Sequence, residues 1–433
     1  MRSKVKRTTF YSFIGIILFA SFTELIFDSG RQTTSDPGSY LHIKFAFNML
    51  LSRLQKVTNQ PLKNSQPIII FMCGDVMLGR GIDQVLPHPS KPVLYERYMK
   101  NARGYVEIAE QKNGPIPSPV QFSYVWGDAL EELERIGPDI RIINLETSVT
   151  KSNDYWKDKG INYRMNPKNI ACLTAAKIDF CSLANNHILD WGYSGLLETL
   201  ETLNKINIKS AGAGNTLAEA ESPAVLEIKA KGRVLVFSYG TTTSGIPLSW
   251  AASDKKPGIN ILTDLSENTV IAIKEKVNEF KQKGDIIVVS IHWGGNWGYQ
   301  IPRAHVRFAH QLIEEAGVDV IHGHSSHHVK GIEVYKDRLI IYGCGDFIND
   351  YEGISGYEHF RDDLALMYFV SIEPATGKLL RLIMTPTQIK NFKVNRATKA
   401  DAIWLKDILN REGSTLGTQV ILNADNTLTL KWQ

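Results

Sequence analysis

The chain has 433 residues, of which 43% are hydrophobic and 22% charged, a composition typical of a globular protein with a large buried core. Its 49 Lys and Arg residues and 45 Asp and Glu residues leave a formal net charge of +4. There is no basic run and no RNA- or DNA-binding motif, which excludes nucleic acid as an expected partner. The four cysteines form no CxxC pair. They are expected to be buried free thiols, although two of them could pair in an oxidising compartment.

The first 27 residues differ from the rest of the chain. Residues 1–9 carry four basic side chains, and residues 10–27 form an apolar stretch in which Glu24 is the single charge. A basic flank before such a stretch predicts a transmembrane signal anchor, with residues 1–9 cytosolic and the rest of the chain translocated. The alternative is a cleaved signal peptide and a secreted protein, because the small residues Ala20 and Ser21 follow a shorter apolar core.

Residues 28–65 are interpreted as a stalk between the membrane segment and the folded domain. Residues 28–39 are rich in Ser, Thr, Gly, Asp and Pro, so this part should be irregular. A short amphipathic helix could form within residues 41–54. The folded domain is predicted to span residues 66–433, where the sequence contains no internal repeat and no low-complexity tract.

From residue 66 onward, a short apolar run, a polar residue with a turn, and a helical stretch follow one another repeatedly. The predicted strands are residues 67–73, 140–143, 180–184, 234–239, 286–291, 318–321 and 339–342. Helical patterns lie between several of them, at 194–206, 266–281 and 302–316. Continuous apolar runs suit strands buried on both faces, so the alternation predicts an α/β fold with at least partly parallel sheets.

Polar side chains of metal-binding types are concentrated at the carboxyl ends of these strands. They are Asp75, Glu146, Asn186, His187, His292, His322 and His324. In α/β sheets, functional sites lie outside the carboxyl ends of the strands. A single histidine there is usually a structural side chain, whereas the repetition of the pattern on successive strands indicates a shared site.

The residue types at these strand ends predict a metal centre. Carboxylate and amide oxygens together with imidazole nitrogens favour Zn, Mn or Fe over Ca, and over cysteine-rich structural zinc sites. A carboxylate between two cations can bridge them. Two such metals can activate a water and hold both the attacking and the leaving oxygen of a displacement. We therefore expect one or two divalent transition metals as cofactors.

His187 directly follows Asn186, which brings it close to the metals without requiring that it bind them. A histidine in this place is suited to act as a general acid that protonates a leaving group. Asp190 lies three residues later. It could orient His187 as part of the catalytic group, or it could cap the helix that follows.

Arg80, Trp293 and Trp297 are the candidates for substrate binding. Arg80 follows Asp75 closely and could make a bidentate contact with an anionic substrate, although a structural ion pair is the alternative. Trp293 and Trp297 lie in a glycine-rich loop after His292. They could form the wall of a substrate groove, or they could pack against neighbouring loops.

Six motifs resemble those of the CapA capsule-synthesis family, which is associated with poly-γ-glutamate biosynthesis. They are GDVMLGRGID at 74–83, NLETSVT at 144–150, LANNHILDWG at 183–192, SIHWGGNWGY at 290–299, HGHSSHHVKGIEVY at 322–335 and YGCGDFIND at 342–350. The resemblance covers roughly residues 68–390, with the motifs in the family's order. This family belongs to the calcineurin-like metallophosphoesterase superfamily. The implied fold is a four-layer sandwich, in which two stacked mixed β-sheets are flanked by helices.

The resemblance also implies roles for individual residues. Glu146 matches the carboxylate that bridges two metals, and His187 matches the superfamily's proton donor. The remaining matches are metal ligands: Asp75 and His324 for one metal, and Asn186, His292 and His322 for the other.

The sequence departs from the superfamily pattern at the first motif. That motif is Asp-x-His, whereas Met77 occupies the third position here, which leaves the first metal one ligand short. His327 stands where the family often has a further histidine, either as an extra ligand or as a solvent-facing side chain. Asp346 stands where relatives often have Asn, and the sequence assigns it no role.

These features predict a membrane-tethered, extracytosolic protein that acts in the synthesis, export or trimming of an anionic polymer such as poly-γ-glutamate. The expected chemistry is metal-dependent hydrolysis or transfer at a phosphoester or related bond. Other polymer-synthesis subunits are possible partners. One alternative is a non-catalytic assembly or polymer-binding subunit with a vestigial metal site, and another is a secreted phosphodiesterase unrelated to capsules. The presence of His187 favours catalysis, whereas Met77 favours the non-catalytic alternative.

Overall fold

The computed structural model describes residues 66–157 and 159–433. The predicted cytosolic segment at 1–9, the predicted membrane segment at 10–27 and the predicted stalk at 28–65 lie outside the described residues. Within the part of the chain that is described, no helix combines the length and the hydrophobicity needed to cross a membrane.

The described residues form an alternating series of strands and helices, as the sequence predicted. The strands are β1 (Ile68–Val76), β2 (Ile140–Leu145), β3 (Ser148–Val149), β4 (Arg164–Met165), β5 (Phe180–Ser182), β6 (Lys209–Ala211), β7 (Ala213–Gly214), β8 (Ala224–Ile228), β9 (Gly232–Thr241), β10 (Gly258–Ile259), β11 (Ile261–Leu262), β12 (Ile286–His292), β13 (Val320–His324), β14 (Ile332–Tyr335), β15 (Arg338–Ile341), β16 (Asp346–Ile348), β17 (Leu364–Ile372), β18 (Leu379–Lys390), β19 (Lys393–Arg396), β20 (Thr418–Leu422) and β21 (Leu428–Trp432). The α-helices are α1 (Arg80–Val85), α2 (Arg103–Asn113), α3 (Ala129–Ile136), α4 (Ala171–Ala175), α5 (Gly192–Lys205), α6 (Leu217–Glu221), α7 (Glu267–Phe280), α8 (Arg303–Glu314) and α9 (Lys399–Gly413).

The larger sheet has the strand order β20-β21-β18-β17-β1-β2-β5-β6, with β16 also paired to β1 and β19 paired to β18. Strands β1, β2, β5 and β6 run parallel to one another. Strand β17 is antiparallel to β1, and the pairs β17–β18, β18–β21 and β20–β21 are also antiparallel. The sheet is therefore mixed, with the parallel half formed by the predicted strands.

The second sheet has the order β11-β9-β12-β13-β15-β14, and β8 pairs with β9. Strands β11, β9, β12, β13 and β15 are parallel. The pairs β8–β9 and β14–β15 are antiparallel. This sheet is mixed as well, and its central strands carry the predicted histidines at their carboxyl ends.

The alternation of side chains along β1 shows how the layers pack. Ile68 and Ile70 belong to a buried core that also contains Val236 of the second sheet, so the two sheets face each other. Phe71 and Cys73 instead join a core shared with helices of the first sheet. Because successive strand residues point to opposite faces, each sheet has one face toward the other sheet. A third core packs the second sheet against α7 and α8, which completes the predicted arrangement of stacked mixed sheets with flanking helices.

The predicted strands and helices are confirmed, with differences of a few residues at their ends. Strand β1 continues to Val76 and so includes Asp75, whereas the apolar run itself ends at residue 73. All four cysteines are buried and unpaired, as expected from the apolar runs that contain three of them.

Candidate metal centre

The carboxyl ends of strands from both sheets meet at one cluster of buried polar side chains. Asp75 lies near the end of β1, and Glu146 directly follows β2. In the second sheet, His292 and His324 end β12 and β13 and are paired in register. These four residues are at most 4% exposed. Charged groups are rarely buried to this extent without a compensating partner, so the cluster has the character of a cation site.

One group of possible ligand atoms is rich in nitrogen. Asp75, His292 and His324 each offer an atom within 4.8 Å of the others. Burial lowers the pKa of His292 well below its ordinary value, and the neighbouring His187 acts in the same direction. Burial likewise lowers the pKa of His324, with His292 as the next cause. Both rings are therefore neutral, which is the form of imidazole that binds metals.

A second group of possible ligand atoms consists of oxygens only. Asp75, Glu146 and Asp346 each offer one carboxylate oxygen within 4.8 Å of the others. Burial, together with the neighbouring carboxylate of Asp346, raises the pKa of Asp75 to about 7. Burial also raises the pKa of Glu146 well above its ordinary value, with Asp75 as the next cause. Three buried carboxylates in contact are costly unless they are protonated or share a cation.

Glu146 lies close to the histidines as well as to the other carboxylates. Its Oε1 atom lies 3.8 Å from Nε2 of His187 and 3.9 Å from Nε2 of His292. The residue is only 4% exposed, and its carboxyl group shares a side-chain hydrogen bond with Asp75. Two buried carboxyl groups in contact are unfavourable when both are ionised, and a divalent metal would compensate their charge. The residues present thus fit the cofactor that the sequence predicted.

Asn186 lies at the same cluster, where its Oδ1 atom is 3.0 Å from Nε2 of His292. His322, the other predicted ligand, is placed differently. Its Nε2 atom is 2.7 Å from the carbonyl oxygen of Cys73, and its Nδ1 atom is 3.1 Å from Oγ of Ser290. His322 is absent from the groups of possible ligand atoms found in the described residues.

A chain of hydrogen bonds gives His322 a supporting position behind His324. Oγ of Ser290 is also 2.9 Å from Nε2 of His324. If Nε2–H of His322 donates to the Cys73 carbonyl, Ser290 donates to Nδ1 of His322 and accepts from Nε2–H of His324. This assignment leaves the lone pair of His324 on Nδ1, which lies 2.7 Å from Nδ1 of His292 and 3.9 Å from Oδ1 of Asp75. Partners of this kind fix the tautomer of a histidine ligand. The structure therefore places His322 behind His324, and its direct ligation of a metal stays a prediction.

His187 lies beside the ligand groups but belongs to none of those found in the described residues. Its Nδ1 atom is 2.6 Å from Oδ2 of Asp190, and its ring stacks on Tyr163 with the centroids 3.8 Å apart. Asp190 also accepts a hydrogen bond from the backbone N–H of Tyr163. Helix α5 has Trp191 at its N-cap and no side-chain cap. Of the two roles considered for Asp190, the contacts match the orientation of His187.

Lys159 is a further member of this group that the sequence did not reveal. Its Nζ atom lies 3.0 Å from Nδ1 of His187 and forms an ion pair with Asp190. Burial lowers the pKa of His187 to about 4, and Lys159 acts in the same direction, whereas Asp190 opposes the shift. Lys159 lies in a loop outside the strands and motifs used for prediction, so its position depends on how that loop folds back.

Arg80, the predicted anion-binding residue, is 3% exposed and held by buried carboxylates. Its Nε atom donates to Oδ2 of Asp350 at 3.2 Å, and Nη1 donates to Oε1 of Glu96 at 3.1 Å. The guanidinium also lies 3.9 Å from the ring centroid of Tyr105. These contacts match the alternative that Arg80 forms a structural ion pair, because they occupy the groups that a substrate would need.

The two predicted tryptophans have different surroundings. Trp293 is 3% exposed, donates from Nε1 to the carbonyl oxygen of Tyr342 at 3.0 Å, and stacks on His305. These contacts correspond to the alternative interpretation, in which Trp293 packs against neighbouring parts of the chain. Trp297 is partly exposed, stacks on Tyr357 with the centroids 3.9 Å apart, and lies 5.1 Å from the ring of His327. Trp297 therefore lies nearer the edge of the site, where a role in substrate binding stays a prediction.

Comparisons with known proteins show which proteins this chain is similar to. The family model described as "Bacterial capsule synthesis protein PGA_cap" matches residues 69–351. A "Probable polyglutamine synthesis accessory protein" of Mycobacterium tuberculosis is 44% identical over 366 residues, covering 84% of this chain and 96% of that protein. The "PGA biosynthesis protein CapA" of Bacillus subtilis is 30% identical over 317 residues, covering 73% of this chain and 70% of that protein.

The fold and the site together define an α/β protein with groups of possible metal ligands at the carboxyl ends of strands from two stacked sheets. The chain belongs to the bacterial capsule synthesis family that includes CapA, which confirms the resemblance seen in its motifs.

Proposed function

We propose that this protein acts in the synthesis, export or trimming of an anionic polymer such as poly-γ-glutamate, as a metal-dependent hydrolase or transferase. Family membership supports the polymer pathway, as do two relatives whose names refer to polyglutamine synthesis and to PGA biosynthesis. The observation that carries the chemistry is that buried Asp75 belongs to two adjoining groups of possible metal ligands, one with His292 and His324 and the other with Glu146 and Asp346.

The proposed metal ligands belong to two positions. Asp75, His292 and His324 would hold one metal, Glu146 would reach toward a second position, and Asn186 would add its amide oxygen. A divalent metal at this place supplies a Lewis acid and lowers the pKa of a bound water. The protein fixes the ligand geometry through the hydrogen bonds behind His324, and it excludes bulk water by burying the ligands.

His187 is suited to deliver a proton to the leaving group. Its Nε2 atom faces Glu146 at 3.8 Å, while Asp190 accepts from Nδ1–H on the other side of the ring. An anionic substrate next to Nε2 would favour the protonated ring, because a neighbouring negative charge stabilises the imidazolium. Stacking on Tyr163 restricts the orientation of the ring.

Metal content tests the proposed centre directly. The purified protein is expected to hold at least one Zn, Mn or Fe ion, and Glu146→Ala should lower the occupancy because it removes one of the three carboxylates of the oxygen-only group. His322→Ala should also lower the occupancy, since it releases the hydrogen bonds that fix the tautomer of His324. Elemental analysis after chelator-free purification in metal-replete medium measures both effects.

A matched control for this experiment is Asp319→Asn. Asp319 is buried and paired with Arg338, but it belongs to neither ligand group. Its substitution should change stability without changing metal content. A protein that contains no transition metal under these conditions would rule out the metal-dependent function.

The non-catalytic alternative is favoured by one observation at the first motif. Met77 replaces an imidazole, and its Sδ atom accepts a hydrogen bond from the backbone N–H of Gly79 at 3.1 Å. A subunit that only binds the polymer would retain the fold and show no turnover with phosphoester or polyglutamate substrates. A screen of both substrate classes with the metal-loaded protein separates the two functions.

For localisation, we propose that residues 1–9 stay cytosolic and that the chain beyond about residue 28 is translocated, as the basic flank before an apolar stretch suggests. Protease added to the cytosolic side of sealed membrane vesicles should leave the folded domain intact. Digestion of the domain from that side would contradict this topology. Recovery of a processed domain in the soluble extracytosolic fraction would instead support a cleaved signal peptide.

A further inference from the structure

Position 77 lacks the histidine of the superfamily pattern, and Asp346 is a carboxylate to which the motifs assign no role. Strand β16 runs parallel to β1, and Asp346 is the register partner of Asp75. The backbone N–H of Asp75 donates to the carbonyl oxygen of Gly345 at 3.0 Å, which fixes the two strands at this point. Asp346 is 2% exposed, and one of its carboxylate oxygens lies within 4.8 Å of ligand atoms of Asp75 and Glu146.

Hydrogen-bond contacts with His327 and Asn349 hold the carboxylate of Asp346 in place. Nδ1 of His327 lies 2.8 Å from Oδ2, and Nδ2 of Asn349 donates to the same oxygen at 3.0 Å. Nδ2 of Asn296 lies 2.8 Å from Nε2 of His327, which favours the tautomer that carries its proton on Nδ1. Oδ1 has a single, longer contact of 3.0 Å to the same histidine nitrogen. Ligating carboxylates are commonly oriented by outer partners of this kind.

Two further observations point to a cation at this place rather than to an incidental group of acids. Asp75 belongs both to this group and to the group with His292 and His324, so the three carboxylates adjoin a second set of possible metal ligands. No lysine or arginine in the described part of the chain forms an ion pair with any of the three carboxylates. Their partners are hydrogen bonds from neutral amide groups, such as those of Asn144 and Asn349, and contacts with histidines. Neutral amides and neutral imidazoles leave the charge of buried carboxylates uncompensated.

We propose that Asp346 replaces the imidazole absent at position 77 and, with Asp75 and Glu146, forms an oxygen-rich metal position. His327 and Asn349 are positioning residues that hold its carboxylate. This inference rests on the metal centre of the proposed function. It adds that the two metal positions differ in the ions that they prefer. The oxygen-rich position is suited to a harder ion such as Mn²⁺, whereas the position with His292 and His324 is suited to Zn²⁺ or Fe²⁺.

The test titrates Mn²⁺ into the full-length, metal-depleted protein and follows free Mn²⁺ by electron paramagnetic resonance. Asp346→Asn keeps the size of the side chain but removes the charge. It should weaken Mn²⁺ binding by at least about tenfold, the lower end of what even outer-partner substitutions cost. Zn²⁺ should still bind at the position with His292 and His324. Asp319→Asn is the matched control and should bind Mn²⁺ like the wild type.

His327→Gln provides a second variant in case Asp346→Asn fails to fold. It removes the group that orients Asp346 but leaves all three carboxylates, and it too should weaken Mn²⁺ binding by about tenfold. Wild-type Mn²⁺ affinity in the folded Asp346→Asn variant would overturn the assignment while leaving a metal-dependent function intact. A wild-type protein that binds neither Mn²⁺ nor Zn²⁺ would overturn both this inference and the proposed function.

Discussion

Replacing His187 with alanine should lower turnover by roughly 10²–10⁴-fold, the usual contribution of general acid catalysis, and leave the metal content nearly unchanged. His187 lies outside the groups of possible ligand atoms in the described residues, so its removal takes no ligand from the metals. Its Nε2 atom nevertheless faces Glu146 at 3.8 Å, so the ring lies beside the ligand groups, where a leaving group would need its proton. Turnover and metal content should therefore respond differently to the same substitution.

The leaving group provides a sharper measurement of this role. Substrates whose leaving group departs without a proton should lose much less activity in His187→Ala than substrates with a poor leaving group. Asp190→Asn is the companion variant, because it keeps the size of the side chain but removes the charge that stabilises the imidazolium. It should reproduce the same dependence on the leaving group with a smaller loss of activity.

Two results would contradict the catalytic role of His187. One is a lower melting temperature with unchanged specific activity of the folded fraction, as expected if the ring only fills a hydrogen-bonded position in the core. The other is an equal loss of activity for good and poor leaving groups. If the wild-type protein shows no turnover with any substrate, the non-catalytic subunit is the better description.

The parallel half of the fold could be predicted because its strands are buried on both faces and read as continuous apolar runs. Strands β9, β12 and β13 are of this kind, and each run ends at or near a turn or a histidine. The same logic located Asp75 and Glu146, since each follows an apolar run within two or three residues. The local sequence therefore predicted both the strand and the possible metal ligand at its end.

The antiparallel half and several site contacts could not be predicted in this way. Strand β17 is an apolar run interrupted by Ser371, and it runs antiparallel to β1, so its carboxyl end lies at the opposite edge of the sheet from Asp75. Strand β16 has three residues, and it brings Asp346 to the site only by pairing with the distant strand β1. The loop that carries Lys159 has no periodicity. The sequence also could not separate His322 from His324, because their roles depend on Ser290 in the neighbouring strand.

The structural and the substrate-binding roles of Arg80 predict different effects on protein stability. Asp350→Ala should lower the free energy of unfolding by roughly 3–5 kcal/mol, the usual cost of breaking a buried ion pair by removing one partner. Both side chains are buried, and Oδ2 of Asp350 also accepts a hydrogen bond from the backbone N–H of Gly81 at 2.8 Å. The substitution would leave the guanidinium with Glu96 as its remaining buried carboxylate.

Urea denaturation of folded, purified variants measures this free energy, and Glu201→Ala is the control. The ion pair of Glu201 with Lys205 lies on the surface of α5, with both side chains more than 60% exposed, so its loss should cost no more than about 1 kcal/mol. Arg80→Met should be at least as destabilising as Asp350→Ala, because it leaves Asp350 and Glu96 buried without their cation. Near-normal stability of Arg80→Met with impaired substrate affinity would instead assign Arg80 to the substrate. In that case the ion pair would have to open when the substrate binds.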